Sequence, residues 1–137
     1  MAHGKDIAAL IKVLQVLRDK EAEFPIQTAQ TLLCVALQPG MTMQDIAKAT
    51  GLSQSSASRN IQSLGKWHRL GKPGMDLVEA VEDPHDTRRK IVFLTKDGRE
   101  LVGKLLGAAA SSATPVAFEA PTAQDHLKPI FKARMGG

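Results

Sequence analysis

Residues 53–66 are rich in side chains that donate and accept hydrogen bonds, and they include no carboxylate. On a helix, which turns by about 100° per residue, the apolar residues of this run fall on one side and the polar residues on the other. Ser, Gln and Arg can hydrogen-bond to base edges and phosphates, and short serines let a helix lie deep in a major groove. A helix face that meets only water would more typically mix Glu with Lys. The pattern therefore favours contact with DNA over a plain solvated face.

The helical geometry of this run separates core residues from candidate contacts. Ala57, Ile61 and Leu64 fall within about 60° of one another and are predicted to face the core. The serine at position 53 is also the predicted N-cap, because its hydroxyl can accept a bond from a free backbone N–H of the first turn. The candidate DNA-binding residues of the run, on its outward face and flanks, are Ser53, Gln54, Ser55, Ser56, Ser58, Arg59, Gln62 and Lys66.

Positive charge is concentrated in this part of the chain. The net charge is +4 and the pI is about 9.4. Residues 1–52 carry as many acidic as basic side chains, whereas residues 59–75 carry only basic ones. A local positive field is what a phosphate-facing surface requires. Lys66, Arg69 and Lys72 are therefore predicted to neutralise phosphates.

A predicted β-hairpin follows, with strand-like runs before and after a turn at residues 83–89. Arg88 and Arg89 are adjacent, so on a strand their side chains would leave opposite faces. One arginine can then reach a minor groove while the other points back to the protein body or a phosphate. The alternative is a turn stabilised by an Asp86–Arg88 ion pair, worth about 0–1 kcal/mol when exposed. The two interpretations are compatible, because such a pair would also orient the arginine.

The elements that position these side chains are predicted from apolar periodicity, caps and turn residues. The predicted fold class is mainly α with a small β-hairpin wing, a winged helix-turn-helix. In a single domain over residues 1–110, the predicted parts are an N-terminal helix at 5–22, a helix-turn-helix at 42–66, a wing at 75–95 and a helix at 96–110. Residues 111–137 are predicted to be a low-complexity tail rich in Ala, Ser and Pro.

Local signals mark the ends of the predicted helices. Thr42, with Asp45 three residues on, resembles a capping box, and Gly51 closes the helix that follows. Thr95 caps the helix after the wing. A mostly apolar helix at residues 26–38 is predicted to be the central core element.

The N-terminal helix is apolar on two sides. Ile7, Leu10, Ile11, Leu14 and Leu17 have the spacing of an amphipathic helix, and two valines widen the stripe. One interpretation is that the helix serves both its own core and a partner subunit. The other is that it is wrapped deep in its own domain.

Other chemistry is not indicated by the sequence. Cys34 lies among apolar residues without an adjacent cation, which favours an inert core cysteine over an oxidant sensor. The histidines match no zinc spacing, and no catalytic triad, carboxylate pair or phosphate-binding loop is visible. The protein is therefore predicted to be non-enzymatic and to need no cofactor or metal. It is also expected to be cytoplasmic, since no apolar run approaches the roughly 20 residues of a membrane span and no signal-peptide pattern is present.

Three motifs of this region occur together. They are the helix-turn-helix Met43-Gln44-Asp45-Ile46-Ala47 with Gly51-Leu52-Ser53, the wing Asp83-Pro84-His85-Asp86-Thr87-Arg88, and the junction Leu94-Thr95-Lys96-Asp97-Gly98-Arg99. The wing and junction are more specific than a helix-turn-helix alone, which many regulators share. Together they make residues 32–106 resemble the winged helix-turn-helix domain of the MarR family of bacterial transcription regulators.

The resemblance implies a homodimer, with the helix at residues 53–64 of each subunit in successive major grooves of a pseudo-palindromic operator. It implies that Arg88 enters the minor groove with Asp86 holding it, and that the protein lies on the bacterial nucleoid when bound. Members commonly repress by occupying promoter DNA, and many release it when a small aromatic acid or an oxidant binds. No effector site can be named from this sequence. The chain departs from the family in having an Ala/Ser/Pro-rich tail in place of the last dimerising helix.

Two other functions share parts of this pattern. A winged-helix docking module of a replication or assembly complex would bind protein through its wing and tail. Such a surface should carry aromatic and apolar anchors, and the outward face of residues 53–66 has none. The apolar pair Ile130-Phe131 in the tail is the only such anchor outside the predicted core. An origin-binding initiator would share the DNA chemistry and differ in its partners.

Overall fold

The computed structural model of the chain describes residues 3–66, 71–111 and 116–127. Its elements, in chain order, are α1 (Gly4–Lys20), α2 (Ile26–Leu37), β1 (Met41–Thr42), α3 (Met43–Thr50), α4 (Gln54–Leu64), β2 (Val78–Asp83), β3 (Asp86–Leu94) and α5 (Lys96–Ala109). A further helical turn covers residues 123–127. The prediction of a mainly α fold with a small β-hairpin wing is confirmed.

The helix ends form as the local signals predict. Thr42 Oγ1 accepts a hydrogen bond from Asp45 N, and Asp45 Oδ2 accepts one from Thr42 N, both at 3.1 Å. Gly51 ends α3 with a φ of 75°, a left-handed conformation that glycine adopts without strain. Ser53 and Thr95 cap α4 and α5 by accepting bonds from backbone N–H groups three residues on. These caps fix where α4 begins and how α5 leaves the sheet.

The sheet is antiparallel, with β3 between β1 and β2. β1 was not predicted, because a strand of two residues shows no periodicity. The hairpin turn itself is only Pro84 and His85, since β3 already begins at Asp86. The predicted turn at residues 83–89 is therefore too long. Its second half is strand, and the polar residues there gave no apolar alternation to reveal it.

The main core lies where α2, α3, α4 and α5 meet the sheet. α4 contributes Ala57, Ile61 and Leu64, each no more than 4% exposed, as its periodicity predicts. Burying this side of α4 fixes which side faces outward. The largest fully buried members of the core are Leu32, Val35, Ile46, Leu64, Leu77, Val78, Val92 and Leu94.

Helix α2 does not bury all of its apolar residues. Leu32 and Val35 are fully buried, whereas Ile26, Leu33 and Leu37 are 83%, 47% and 82% exposed. The exposed three are spaced seven and four residues apart, which places them on one side of the helix. The predicted core helix is thus confirmed for the side that packs against α3 and α4, whereas its opposite side stays exposed.

Helix α1 presents its two apolar sides to different surroundings. Ala9 is buried, and Val13, Val16 and Leu17 pack against the main core, where α1 lies along α5. The apolar face formed by Ile7, Leu10, Ile11 and Leu14 is 54–64% exposed. The interpretation in which this helix is wrapped deep in its own domain is therefore wrong.

The C-terminal segment, residues 116–127, lies across α5 and the outer face of β3. Val116 N donates to Gly103 O at 2.9 Å, and a Cβ atom at position 103 would clash with the Val116 carbonyl oxygen. Ala123 is 2% exposed and packs with Phe93, whose ring centroid is 5.0 Å from that of His126. This cover explains why the end of β3 is buried on both faces rather than on one. The predicted division of the chain between residues 110 and 111 stays a prediction.

Candidate nucleic-acid interface

Helix α4 presents its polar residues outward, on the side opposite its buried one. Ser55, Arg59, Gln62 and Lys66 are exposed, as the periodicity predicts. Ser53 and Gln54 are exposed as well, whereas Ser56 and Ser58 are partly buried. The outward face thus offers hydroxyl, amide and cationic groups without a carboxylate among residues 53–66.

The first turn of α4 gathers three serine hydroxyls around the cap. Ser53 Oγ accepts from Ser56 N at 3.1 Å, donates to Ser56 Oγ at 3.0 Å and lies 3.2 Å from Ser55 Oγ. Arg59 Nη2 donates to Ser56 Oγ at 3.3 Å, which is a neutral partner. Among the described residues no carboxylate pairs with Arg59, so its guanidinium keeps most of its five donors for an outside acceptor.

Arg88 projects from the wing and is oriented by a carboxylate. Its Nε and Nη2 donate to the two oxygens of Asp86 at 3.1 and 3.3 Å, a bidentate pair that fixes the plane of the guanidinium. The Arg88 side chain is nevertheless 89% exposed. Hydrogen bonds from the side chain and backbone of Arg88 lower the pKa of Asp86, which keeps the carboxylate ionised. Exposure and fixed direction together suit an arginine that enters a groove.

Arg89 leaves the opposite face of β3 and turns toward Asp83, which lies directly before the hairpin turn. Its Nη2 donates to Asp83 Oδ2 at 2.9 Å, and Asp83 is largely buried, with 10% of its side chain exposed. Asp83 Oδ1 also accepts from His85 N, and that backbone bond, followed by Arg89, lowers the pKa of Asp83. Arg89 therefore stabilises the hairpin turn. Its side chain takes the second of the two directions that strand geometry predicts, back toward the protein.

An open groove of about 890 Å³ separates the second half of α4 from the wing strands. Ser58, Gln62 and Lys66 line it from the α4 side, and Arg88 lines it from β3. The structure thus brings predicted contacts from two elements to one concave surface. Glu79 of β2 lies in the same groove, so the surface is not uniformly basic.

Lys90 also lines this groove and was not among the predicted contacts. It lies two residues after Arg88 on β3, and residues two apart on a strand share a face. That period of two could have identified it, had the strand been extended to residue 86. Lys72 is exposed in the connector beyond α4, and Arg69 lies outside the described residues.

The remaining reactive groups of the described residues show no site. Burial raises the pKa of the Cys34 thiol, which makes a reactive thiolate less available, in line with an inert cysteine. No group of three or more potential metal ligands occurs in the described ranges. None of their helices is both long enough and apolar enough to cross a bilayer.

Part of the chain matches a known family model, and the fold is similar to several solved structures. A family model described as MarR family matches residues 24–67. The DNA complex of S. aureus MepR has a TM-score of 0.63 at 21% identity, over 93% of this chain and 89% of MepR. MarR itself gives 0.55 at 18% identity over 74% and 73%, and reduced AbfR bound to DNA gives 0.54 at 20% over 95% and 82%. Residues 24–67 thus match the MarR family model, and the chain shares the winged helix-turn-helix fold of these solved structures.

Proposed function

We propose that the protein is a sequence-specific, double-stranded DNA-binding transcription regulator that represses by occupying its operator. The observation that carries the proposal is the groove that joins the acid-free face of α4 to Arg88, which Asp86 holds in place. A helix of this kind fits a major groove, and a projecting arginine on a hairpin fits the adjacent minor groove. The similar MepR and AbfR folds were solved bound to DNA, which supports the same use of this fold here.

The contacts divide by chemistry into readers of bases and neutralisers of phosphates. Ser55, Ser56, Arg59 and Gln62 carry donors and acceptors that suit base edges or nearby phosphates. Lys66, Arg69 and Lys72, which follow them in the basic run, carry cations that suit phosphates. Phosphate contacts add affinity on every sequence, whereas base contacts create preference. Arg88 adds recognition of minor-groove shape.

The exposed apolar face of α1 supports a homodimer. Ile7, Leu10, Ile11 and Leu14 form a contiguous stripe that water would otherwise cover, and a second copy can bury it against the same stripe. A two-fold dimer would place two α4 helices one turn of DNA apart. Replacing Leu10 and Leu14 with Glu should give a monomer in sedimentation equilibrium, and an unchanged mass would exclude this interface.

The alternative of a protein-docking module is not favoured. Docking surfaces are enriched in aromatic and apolar anchors. Among the described residues, the outward face of α4 and the exposed tip of the wing carry serine, amide and charged groups instead.

Selection of bound duplexes from a random double-stranded library, followed by salt titration of the selected sequence, tests the proposal. An enriched inverted repeat with half-sites about 10 base pairs apart is expected. The logarithm of affinity should fall linearly with the logarithm of salt concentration, by about 0.9 per neutralised phosphate. Weak binding without an enriched sequence would leave only a basic surface and would contradict sequence-specific recognition.

A further inference from the structure

A chain of partly buried hydrogen bonds ties α4 to α2. Thr28 Oγ1 donates to Asn60 Oδ1 at 3.1 Å, and Asn60 Nδ2 donates to Thr31 Oγ1 at 3.3 Å. Thr31 Oγ1 in turn donates to Gln27 O at 2.8 Å. The two threonines are 2% and 0% exposed. Asn60 is the only asparagine in the sequence, and it is not among the predicted DNA contacts.

The donors and acceptors of this chain match one another in the structure. Thr31 uses its single hydroxyl proton on Gln27 O, so it can only accept from α4. Asn60 must therefore turn its NH₂ group to Thr31 and its oxygen to Thr28. Rotating the amide by half a turn would set its oxygen against Thr31, which then has no proton to offer. One orientation of Asn60 satisfies all three side chains.

Directional bonds restrict a motion that the neighbouring apolar contacts permit. The buried side of α4 is made of Ala57, Ile61 and Leu64, and hydrophobic contact is non-directional. A small rotation of α4 about its own axis would keep most of that contact. The same rotation would break both bonds to Asn60 and leave the buried Thr28 hydroxyl without this acceptor, which is costly.

The rotation of α4 is what decides the reach of its outward side chains. Arg59 directly precedes Asn60 in the sequence. Gln62 lies two residues after Asn60, and Ser56 lies four residues before it. We propose that Asn60 is a positioning residue for sequence readout, whose bonds to Thr28 and Thr31 set the rotation of α4 at which Arg59 and Gln62 meet their bases. This inference rests on the proposed function, since it concerns how α4 reads DNA.

A triple variant separates positioning from stability. Thr28→Val, Thr31→Val and Asn60→Leu together replace the polar chain with apolar groups of similar shape, which can be close to neutral for stability. The thermal unfolding midpoint and the affinity for a scrambled duplex should stay near wild type. The preference for the selected duplex over the scrambled one should fall about tenfold, the discrimination that one well-placed contact to a base provides.

The matched control keeps the hydroxyls and removes the methyl groups. Thr28→Ser with Thr31→Ser should lower the unfolding midpoint by loss of packing, yet keep the wild-type preference. The inference is overturned if the triple variant retains the full preference, or if the serine variant loses as much as the triple variant. A wild-type protein without any preference would refute the proposed function itself, and that result is visible before any variant is made.

A measurement on the unaltered protein covers the case in which the triple variant does not fold. Labelling only asparagine with ¹⁵N gives a single side-chain NH₂ pair, because the chain has one such residue. A hydrogen-bonded amide should exchange slowly with water, and its proton shifts should differ from those of a free asparagine side chain. Rapid exchange and the chemical shifts of a free amide would overturn the inference.

Discussion

Helix α4 and the wing both present arginine, but they hold it in different ways. Arg59 on α4 bonds to a serine hydroxyl and keeps its full charge exposed to an outside acceptor. Arg88 and Arg89 on the wing are each paired with a carboxylate at 3.1 Å or less. Formally, the hairpin of β2 and β3 (residues 78–94) carries four acidic and three basic residues, whereas residues 53–66 carry only positive charge.

The difference follows from how each element is built. A helix packed into the core already fixes its side chains through its backbone, so α4 can leave its arginine without a carboxylate. A two-stranded hairpin twists and bends more readily, and its side chains need a local partner to hold a direction. We therefore expect α4 to supply attraction and base contact, and the wing to supply an oriented contact at close range with little long-range attraction.

The largest expected effect is on α4. Arg59→Ala should weaken binding to the selected duplex by about 1–3 kcal/mol, or roughly 5- to 150-fold, and should relax sequence preference. Fluorescence anisotropy with selected and scrambled duplexes measures both. Lys66→Ala is the control, since a phosphate contact should weaken binding to every sequence alike. Identical behaviour of the two variants across sequences would show that Arg59 and Lys66 do not have separate roles in base and phosphate contact.

The wing arginine should depend on geometry as well as charge. Arg88→Ala should weaken binding about tenfold, as loss of one charge-assisted contact does. Arg88→Lys should recover little of that loss, because an ammonium cannot form the two-point bond with Asp86 and is more strongly hydrated. Anisotropy on the selected duplex tests this. Full recovery by lysine would mean that only charge matters at the wing, and the contrast with α4 would disappear.

Lys90 should contribute a smaller and non-specific term. Lys90→Ala removes a cation from the groove and should reduce the slope of affinity against salt by about 0.9 in logarithmic units, with no change in sequence preference. Salt titrations of the variant and wild type give the slopes. Lys104→Ala is the matched control, because Lys104 is an exposed lysine on α5 and does not line the groove between α4 and the wing. An equal loss in both variants would argue against a defined contact at position 90.

The smallest expected effect is a pH dependence confined to the wing. The folded-state pKa values of Asp83 and Asp86 are lowered, so their pairing stabilises the hairpin above the ordinary aspartate pKa of about 4. That contribution is lost as the pH falls through the lowered values. NMR signals of the Arg88 and Arg89 side-chain N–H groups should therefore change in acid before the core unfolds.

In Asp86→Asn the acid-dependent change at Arg88 should be absent, while the change at Arg89 should remain through Asp83. If the arginine signals of wild type stay constant until global unfolding, the carboxylates do not orient the wing.

The parts of the molecule that the sequence predicts are those set by local chemistry. The caps at Thr42, Ser53 and Thr95 and the two sides of α4 depend on residues within a turn or two of each other, and they form as predicted. The bond between Asn60 and Thr28 spans 32 positions, and no local pattern signals it.

Non-local packing also decides which apolar residues are covered. Leu32 and Leu33 are adjacent leucines in one helix, yet Leu32 is fully buried and Leu33 is 47% exposed. The two leucines differ in exposure because α3 and α4 pack against the side of α2 that carries Leu32. Lys90 was missed for a simpler reason, since it follows from strand period once the start of β3 is known.

The path of the C-terminal segment has a consequence for how the protein is made. Ala123 covers Phe93 and Ile91 and is synthesised after both of them. The outer face of β3 therefore stays exposed to solvent until residue 123 leaves the ribosome. Through that interval the nascent hairpin exposes an aromatic side chain that a chaperone could hold. The outer side of β3 is thus covered only after residue 123 has been synthesised, later than the helices that precede the hairpin.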